Sequence, residues 1–221
     1  MNKQNILVID VGGTNVKVRD QHHDAAVKIP SGLKMTAKTM VTSVLEATKD
    51  WGYTHISIGY PGPIIDGKPE REPFNLGKGW VAMDFAKAFG KPVKIINDAA
   101  MQAVGSYHDG RMLFLGLGTG LGSALMEDGA LIPLELAHLP YRDGKSFEDY
   151  VGLRGMERLG KRSWRRHVAK VSELLRAALV ADYVVLGGGN SRLLKDPPEH
   201  AELGSNNNAF RGGVRLWDDG K

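Results

Sequence analysis

Two similar α/β halves are what this sequence predicts, on three observations. Strand-like and helix-like apolar patterns alternate along the chain. A strand, a glycine turn and a second strand occur twice, at residues 5–19 and 112–126. With 221 residues, 42% of them apolar and 24% charged, the chain has ordinary globular composition and is long enough to bury its own core. The expected division is an amino-terminal half over residues 1–105 and a carboxy-terminal half over 106–221, with the last helix packing back on the first half.

In the first half, Asn5 to Asp10 is a short apolar run closed by a carboxylate, a buried-strand pattern. Gly12-Gly13 turns the chain into Asn15 to Arg19, which alternates apolar and polar residues as a half-exposed strand does. Ala25 to Ile29 reads as a third strand. Met40, Val41, Val44 and Leu45 fall at helical spacing within Thr36 to Lys49. His55 to Tyr60 is a strand stopped by Pro61-Gly62-Pro63. Val81 to Phe89 reads as a helix, Val93 to Ile96 as a strand, and Ala99 to Tyr107 as a helix headed by Asp98.

The second half restarts with strands at Met112 to Leu117 and Ser123 to Met126 around the turn Gly118 to Gly122. Glu127-Asp128-Gly129 is a hairpin turn into Ala130 to Ile132. Ser163 to Val180 is the longest helix pattern, Tyr183 to Leu186 a buried strand, and Asn206 to Trp217 a terminal helix weakened by Gly212-Gly213.

Composition excludes several classes. There is no Cys, which removes disulfide scaffolds, thiolate metal sites and a Cys nucleophile. No apolar run approaches the roughly 18 residues of a membrane span, and no signal-peptide pattern opens the chain, so a cytoplasmic protein is expected. The net charge of +4 suits a small anionic ligand, and no nucleic-acid docking motif accompanies it. Glycine is high, 28 residues against a usual share of about 7%. Glycine admits a ligand close to the backbone, so its clusters are candidate sites.

Four segments carry candidate chemistry. In IDVGGTNVK, the tip Gly12, Gly13, Thr14 and Asn15 can aim N–H groups at a phosphate, Lys17 adds a point charge, and Asp10 can hold Mg²⁺ directly or through water. The bland alternative is a tight hairpin with incidental charges. LGLGTGLGSA, with Gly118, Thr119 and Gly120 at its turn, is neither a Rossmann fingerprint nor a Walker loop, and reads as a phosphate turn or a plain strand connection. In INDAAMQAVG, Asp98 is an N-cap or a base facing a substrate hydroxyl, with Asn97 bonding a neighbouring hydroxyl. In LELAHLP, Glu135 and His138 are three apart, so one helical turn would put both on one side, suited to vicinal hydroxyls.

Taken together, DVGGTNVK, GYPGP at 59–63, INDA at 96–99, GLGTGLGSAL at 116–125, ELAH at 135–138 and VVLGGGNSR at 184–192 resemble the ROK sugar kinases, most closely the polyphosphate-glucokinase-like members. The resemblance covers nearly the whole chain. It implies an actin/hexokinase-like (RNase H-like) two-lobe fold around a central cleft, and a kinase that phosphorylates a sugar, most simply glucose, from ATP or polyphosphate with Mg²⁺. It further implies that Asp98 is the catalytic base and that Asp10 lies near the metal. Asn97, Glu135, His138 and Glu148 would bind the sugar, while Gly188, Gly189 and Asn190 would lie beside the donor. Asn75, in FNLGKG before Trp80, is a further sugar contact.

The chain departs from the family in three ways. It lacks the Cys-rich segment, so no structural zinc is expected; Ala137 replaces the usual Gly; and the second lobe is trimmed. The expected partners are a sugar and a nucleotide or polyphosphate, without nucleic acid or membrane, and a homodimer is compatible with the family. Alternatives are a kinase for mannose or an N-acetylated hexosamine, a non-catalytic ROK regulator, and an actin-like ATPase. The basic run Lys161, Arg162, Arg165, Arg166, His167 and Lys170 is a solvated face or a contact for a polyanionic donor. His22-His23-Asp24 reads as a loop tip rather than a metal site, and the four Trp residues as packing residues.

Overall fold

The computed structural model of the chain describes residues 4–205 and 207–218. Asn206, the expected start of the terminal helix, lies outside them. The chain forms two compact units, one reaching to Met101 and resuming at Ala209, the other spanning Gln102–Asn208.

The first unit contains β1 (Ile6–Val11), β2 (Asn15–Arg19), β3 (Val27–Pro30), α1 (Ala37–Ala47), β4 (His55–Tyr60), β5 (Ile64–Ile65), β6 (Lys68–Pro69), α2 (Phe85–Phe89), β7 (Val93–Asn97) and the start of α3 (Asp98–Ser106). Its sheet has the order β3-β2-β1-β4-β7. β1, β4 and β7 are parallel, and β2 and β3 complete an antiparallel meander.

The second unit contains β8 (Arg111–Leu117), β9 (Leu121–Glu127), β10 (Ala130–Leu134), β11 (Pro140–Arg142), β12 (Lys145–Ser146), α4 (Phe147–Val151), α5 (Leu153–Ala178), β13 (Tyr183–Gly187), a 3₁₀ turn (Ser191–Leu193) and β14 (Ala201–Leu203). Its sheet, β10-β9-β8-β13-β14, repeats the first plan: a meander followed by two parallel strands. The repeat legible in the sequence is therefore a repeat of topology. The last helix, α6 (Asn208–Arg215), places Ala209 and Phe210 in a cluster with Ile6, Val8 and Met101.

Each unit has its own core. Leu7, Ile9, Ile56 and Ile58 meet Met40 and Val44 of α1 in the first; Leu113, Leu115, Val184 and Leu186 meet Trp164, Val168 and Val171 of α5 in the second. Trp80 and Trp164 are fully buried, and their indole N–H groups donate to Gly77 O at 2.8 Å and Val151 O at 2.7 Å. A buried indole needs such an acceptor.

Several boundaries differ from the sequence pattern for local reasons. The helix expected over Val81 to Phe89 starts only at Phe85. The Glu72 carboxylate accepts from the Trp80 and Val81 amides, which holds that stretch in a loop, and Asp84 then caps α2 by accepting from Lys87 N at 3.0 Å. The helix expected from Ser163 begins at Leu153 and breaks at Gly160, whose φ of 73° and ψ of 155° suit glycine. It ends at Ala178, and Val180 is left-handed. The short hairpins β5–β6 and β11–β12 escape the apolar pattern, yet turn through Asp66-Gly67 and Asp143-Gly144. Both residues of each pair have positive φ, as do Asp128-Gly129. That is the two-residue turn that Asp-Gly favours.

His23 Nδ1 lies 2.6 Å from Asp20 Oδ1, and the imidazole stacks on Trp51. Burial pushes the Asp20 pKa up, but hydrogen bonds from His23, Asn5 and the His22 amide outweigh it, and the net direction is down. A carboxylate with a lowered folded pKa contributes stability that is present above its unfolded value and lost as pH falls through the folded one. Asp20→Asn should cost roughly 1–3 kcal/mol at neutral pH and reduce the loss of stability towards acid, read from denaturant unfolding across a pH series. A side chain at Gly213 of α6 would collide with Val8 of β1. Gly213→Val should therefore destabilise by about 1–3 kcal/mol in the same measurement.

Candidate functional site

The first unit gathers its candidates at one edge of its sheet. Parallel register aligns Asp10 with Gly59 and Gly59 with Ile96, so Asn97 and Asp98 follow at the same carboxyl edge. Asp10 and the end of β7 stand two strands apart, about 10 Å. Ligand sites in open α/β sheets form at such edges.

Lys17, opposite Asp10 in the ladder, places Nζ 3.1 Å from Asp10 Oδ2. At the turn between them, Gly12 N donates to Asn15 O at 3.1 Å, and a Cβ on Gly12 would lie 2.9 Å from that oxygen. Thr14 and Gly13 are exposed at the tip. Asn75 packs beside the turn, its Cβ 3.2 Å from where a Gly13 Cβ would stand. Ser31, which no sequence pattern singled out, secures the loop: its Oγ donates to Gly12 O at 2.6 Å and its N–H to Thr14 O at 2.9 Å.

Capping of α3 falls to Asn97. Its Oδ1 accepts from Ala99 N at 2.9 Å and Ala100 N at 3.1 Å, while its Nδ2 donates to Gly62 O at 3.1 Å. The side chain thereby joins β7, α3 and the Pro-Gly-Pro turn. Asp98, the first residue of α3, accepts from Ala99 N at 2.8 Å. Gly59 allows α3 this close: a side chain there would strike Met101 and come 3.5 Å from the Asp98 Cα.

In the second unit the glycine turn Gly118-Thr119-Gly120 is held from three sides. Asn190 donates from N to Leu117 O at 2.9 Å and from Nδ2 to Gly118 O at 3.0 Å. Gly188, with φ of 80°, brings its Cα so near that a Cβ would lie 2.5 Å from Leu117 O. Glu148 Oε2 accepts from Leu121 N at 3.1 Å and packs on Gly120, and Leu153 N donates to Thr119 O at 3.2 Å. Side chains at Gly118 and Gly189 would meet nothing within 4 Å, so protein packing does not require glycine at either.

Glu135 and His138 are not on a helical turn. Glu135 sits in coil after β10, and His138 lies in a tight turn closed by Leu139 N donating to Leu136 O at 3.2 Å. Pro133 and the pairing of β10 with β9 keep the preceding residues extended. Both side chains are exposed. Their segment is tied to α4 by Glu148 N donating to Ala137 O at 3.0 Å, and Ala137 is buried in the core. Glu148 is thus placed between this segment and the glycine turn. No group of three or more His, Asp or Glu residues with metal-binding geometry occurs among the described residues, and none of their helices is long and apolar enough to cross a membrane.

No family model matches the chain. Among curated proteins it is 30% identical over 206 residues to the polyphosphate glucokinase of Mycobacterium leprae, a match covering 83% of this chain and 63% of that relative. The chain thus spans under two thirds of that relative's length. Among solved structures, the inorganic polyphosphate/ATP-glucomannokinase of Arthrobacter sp. strain KM has a TM-score of 0.80 at 22% identity, covering 97% of this chain and 98% of the other. A ROK family glucokinase from Streptomyces griseus, solved with glucose and AMPPNP, has a TM-score of 0.74 at 16% identity, covering 98% and 100%. The architecture of the two units is that of the ROK, hexokinase-like fold.

Gly188→Ala should force both a left-handed alanine and a clash with Leu117. The expected cost is about 2 kcal/mol or more, measured by denaturant unfolding.

Proposed function

We propose that this chain, a relative of the polyphosphate glucokinases with the ROK-family fold, is a sugar kinase that transfers a phosphoryl group from ATP or polyphosphate to a primary hydroxyl, with glucose the first acceptor to test. The observation that carries the reading is the alignment of Asp10 and Asp98 on one sheet edge, beside a glycine turn that presents Thr14 and Lys17.

In this reading Asp98 orients the sugar hydroxyl and accepts its proton as the oxygen–phosphorus bond forms and the donor's bridging bond breaks. Asn97 contributes mainly by holding Asp98: three of its hydrogen-bonding positions serve α3 and Gly62, which leaves one N–H for a hydroxyl. Asn75, Glu135 and His138 are the further sugar contacts; Glu148 shapes the second glycine turn and reaches the sugar through its remaining oxygen.

On the donor side stand Gly12, Gly13, Thr14, Asn15 and Lys17, then Gly118, Thr119, Gly120, Gly188, Gly189 and Asn190. The glycines at 118 and 189 support this assignment, since the fold itself leaves room for a side chain there. Asp10 fits Mg²⁺ as a single carboxylate of the kind that holds the ion through water together with donor phosphates. Bound there, the ion would neutralise phosphate charge. Lys17, paired with Asp10, is within reach of the same phosphates.

A sugar panel assayed in parallel with ATP and polyphosphate tests the reading and separates glucose from mannose and amino sugars. Asp98→Asn should lower kcat by about 10²- to 10⁴-fold with the fold intact by circular dichroism. Turnover near that of the unaltered protein would remove the assignment, and a chain that binds sugar without phosphorylating it would instead be a sugar-sensing regulator.

A further inference from the structure

The middle of α5, after the break at Gly160, carries more positive charge than a solvated helix face needs. Lys161, Arg162, Arg166 and Lys170 are exposed, and none has a carboxylate within 4 Å among the described residues. Lys161–Arg165, Arg162–Arg166 and Arg166–Lys170 are like-charged pairs at i,i+4, an arrangement that destabilises a helix. Of the flanking acids on the helix, Glu157 has no ion pair with them among the described residues, and Glu173 pairs with Arg176 instead. Other cations join from outside the stretch. Burial and then Arg142 of β11, Arg166, Lys170 and Arg158 hold the His167 imidazole below its usual pKa. Self-repulsion of this kind is relieved by a bound polyanion.

The basic stretch is tied to the segment that braces the second glycine turn. Leu153, the first residue of α5, bonds Thr119 O, and Arg165 Nε donates at 2.8 Å to Leu193 O, three residues beyond the Asn190 that bonds Gly118. From Lys161 to Lys170 the face extends about 14 Å along the helix. Trp164, the aromatic of this stretch other than His167, is fully buried and so offers no face for base stacking.

We infer that the exposed face Lys161–Lys170 is a second contact surface for the donor, gripping the part of an inorganic polyphosphate chain that extends beyond the phosphates at the glycine turn. The inference rests on the kinase reading above, and adds to it a preference for long donors. The charges act collectively, so the grip is salt-sensitive and grows with chain length.

The test compares the unaltered protein with Arg162→Glu/Arg166→Glu/Lys170→Glu. Binding of long-chain polyphosphate, tripolyphosphate and single-stranded DNA is measured at several salt concentrations without sugar. Long-chain polyphosphate should bind at least about tenfold more weakly to the triple variant and with a shallower salt dependence, while tripolyphosphate changes less than about twofold. The neutral variant Arg162→Gln/Arg166→Gln/Lys170→Gln should fall between and melt no lower than the unaltered protein, which separates charge from misfolding. Unchanged long-chain affinity, equal losses for both chain lengths, or DNA that binds as tightly and is lost equally would each overturn the inference. Length-dependent binding without phosphorylation of any sugar would sustain it and sink the kinase reading.

Discussion

Parallel pairing of β1 with β4, and of β4 with β7, is the constraint on which the candidate chemistry depends. Its register brings residues 10, 59 and 96 level, although some forty residues separate each from the next. A slip of one residue in either ladder would turn each side chain of that strand to the opposite face. β8 and β13 impose the same condition on the second unit, where Gly116 is level with Gly187 and both strands run directly into the glycine turns. In each sheet one glycine makes the level edge attainable. Gly59 lies under Met101 of α3, and Gly187 under the ring of Phe114.

The glycine turns divide into positions that shape the loop and positions that leave it open. Gly12, Gly120 and Gly188 are closed by the protein itself, against Asn15 O, Glu148 and Leu117 O. Gly118 and Gly189 face open space. No packing contact at the Cβ position requires glycine at either. Asn190 and Glu148, far apart in sequence, brace opposite sides of the same turn and fix its conformation. The first turn has a lighter brace, Ser31, and keeps its tip exposed.

Two adjacent side chains serve the first amides of α3. Asn97 accepts the Ala99 and Ala100 amides and ties the helix to Gly62, and Asp98 also accepts the Ala99 amide. The same economy of position holds on α5, where Trp164, Val168 and Val171 build the core and the opposite face carries the unpaired cations. One helix thus serves packing on one side and charge on the other.

Most of the regular structure was legible from local pattern alone. Periodicity identified β4 at its observed bounds, α1 to within two residues of each end, and the doubled strand–turn–strand plan, because those segments place apolar residues at the period of their own element. The Asp-Gly pairs at 66–67 and 143–144 carried a signal for two further hairpins, but strands of two or three residues are too short to show a period. The start of α2 and the break at Gly160 depend on a distant carboxylate and on one residue's backbone angles, and neither leaves a periodic trace. The sequence by itself determined the α/β class, the two glycine turns and the identities of the acids beside them. Only the tertiary structure decided that Asn97 joins α3 to Gly62, that Glu148 braces the second turn, and that Glu135 and His138 leave the helical spacing. The Asn97–Gly62, Glu148–Leu121 and Glu148–Ala137 hydrogen bonds behind these outcomes join residues well apart in the chain, which local propensity does not encode.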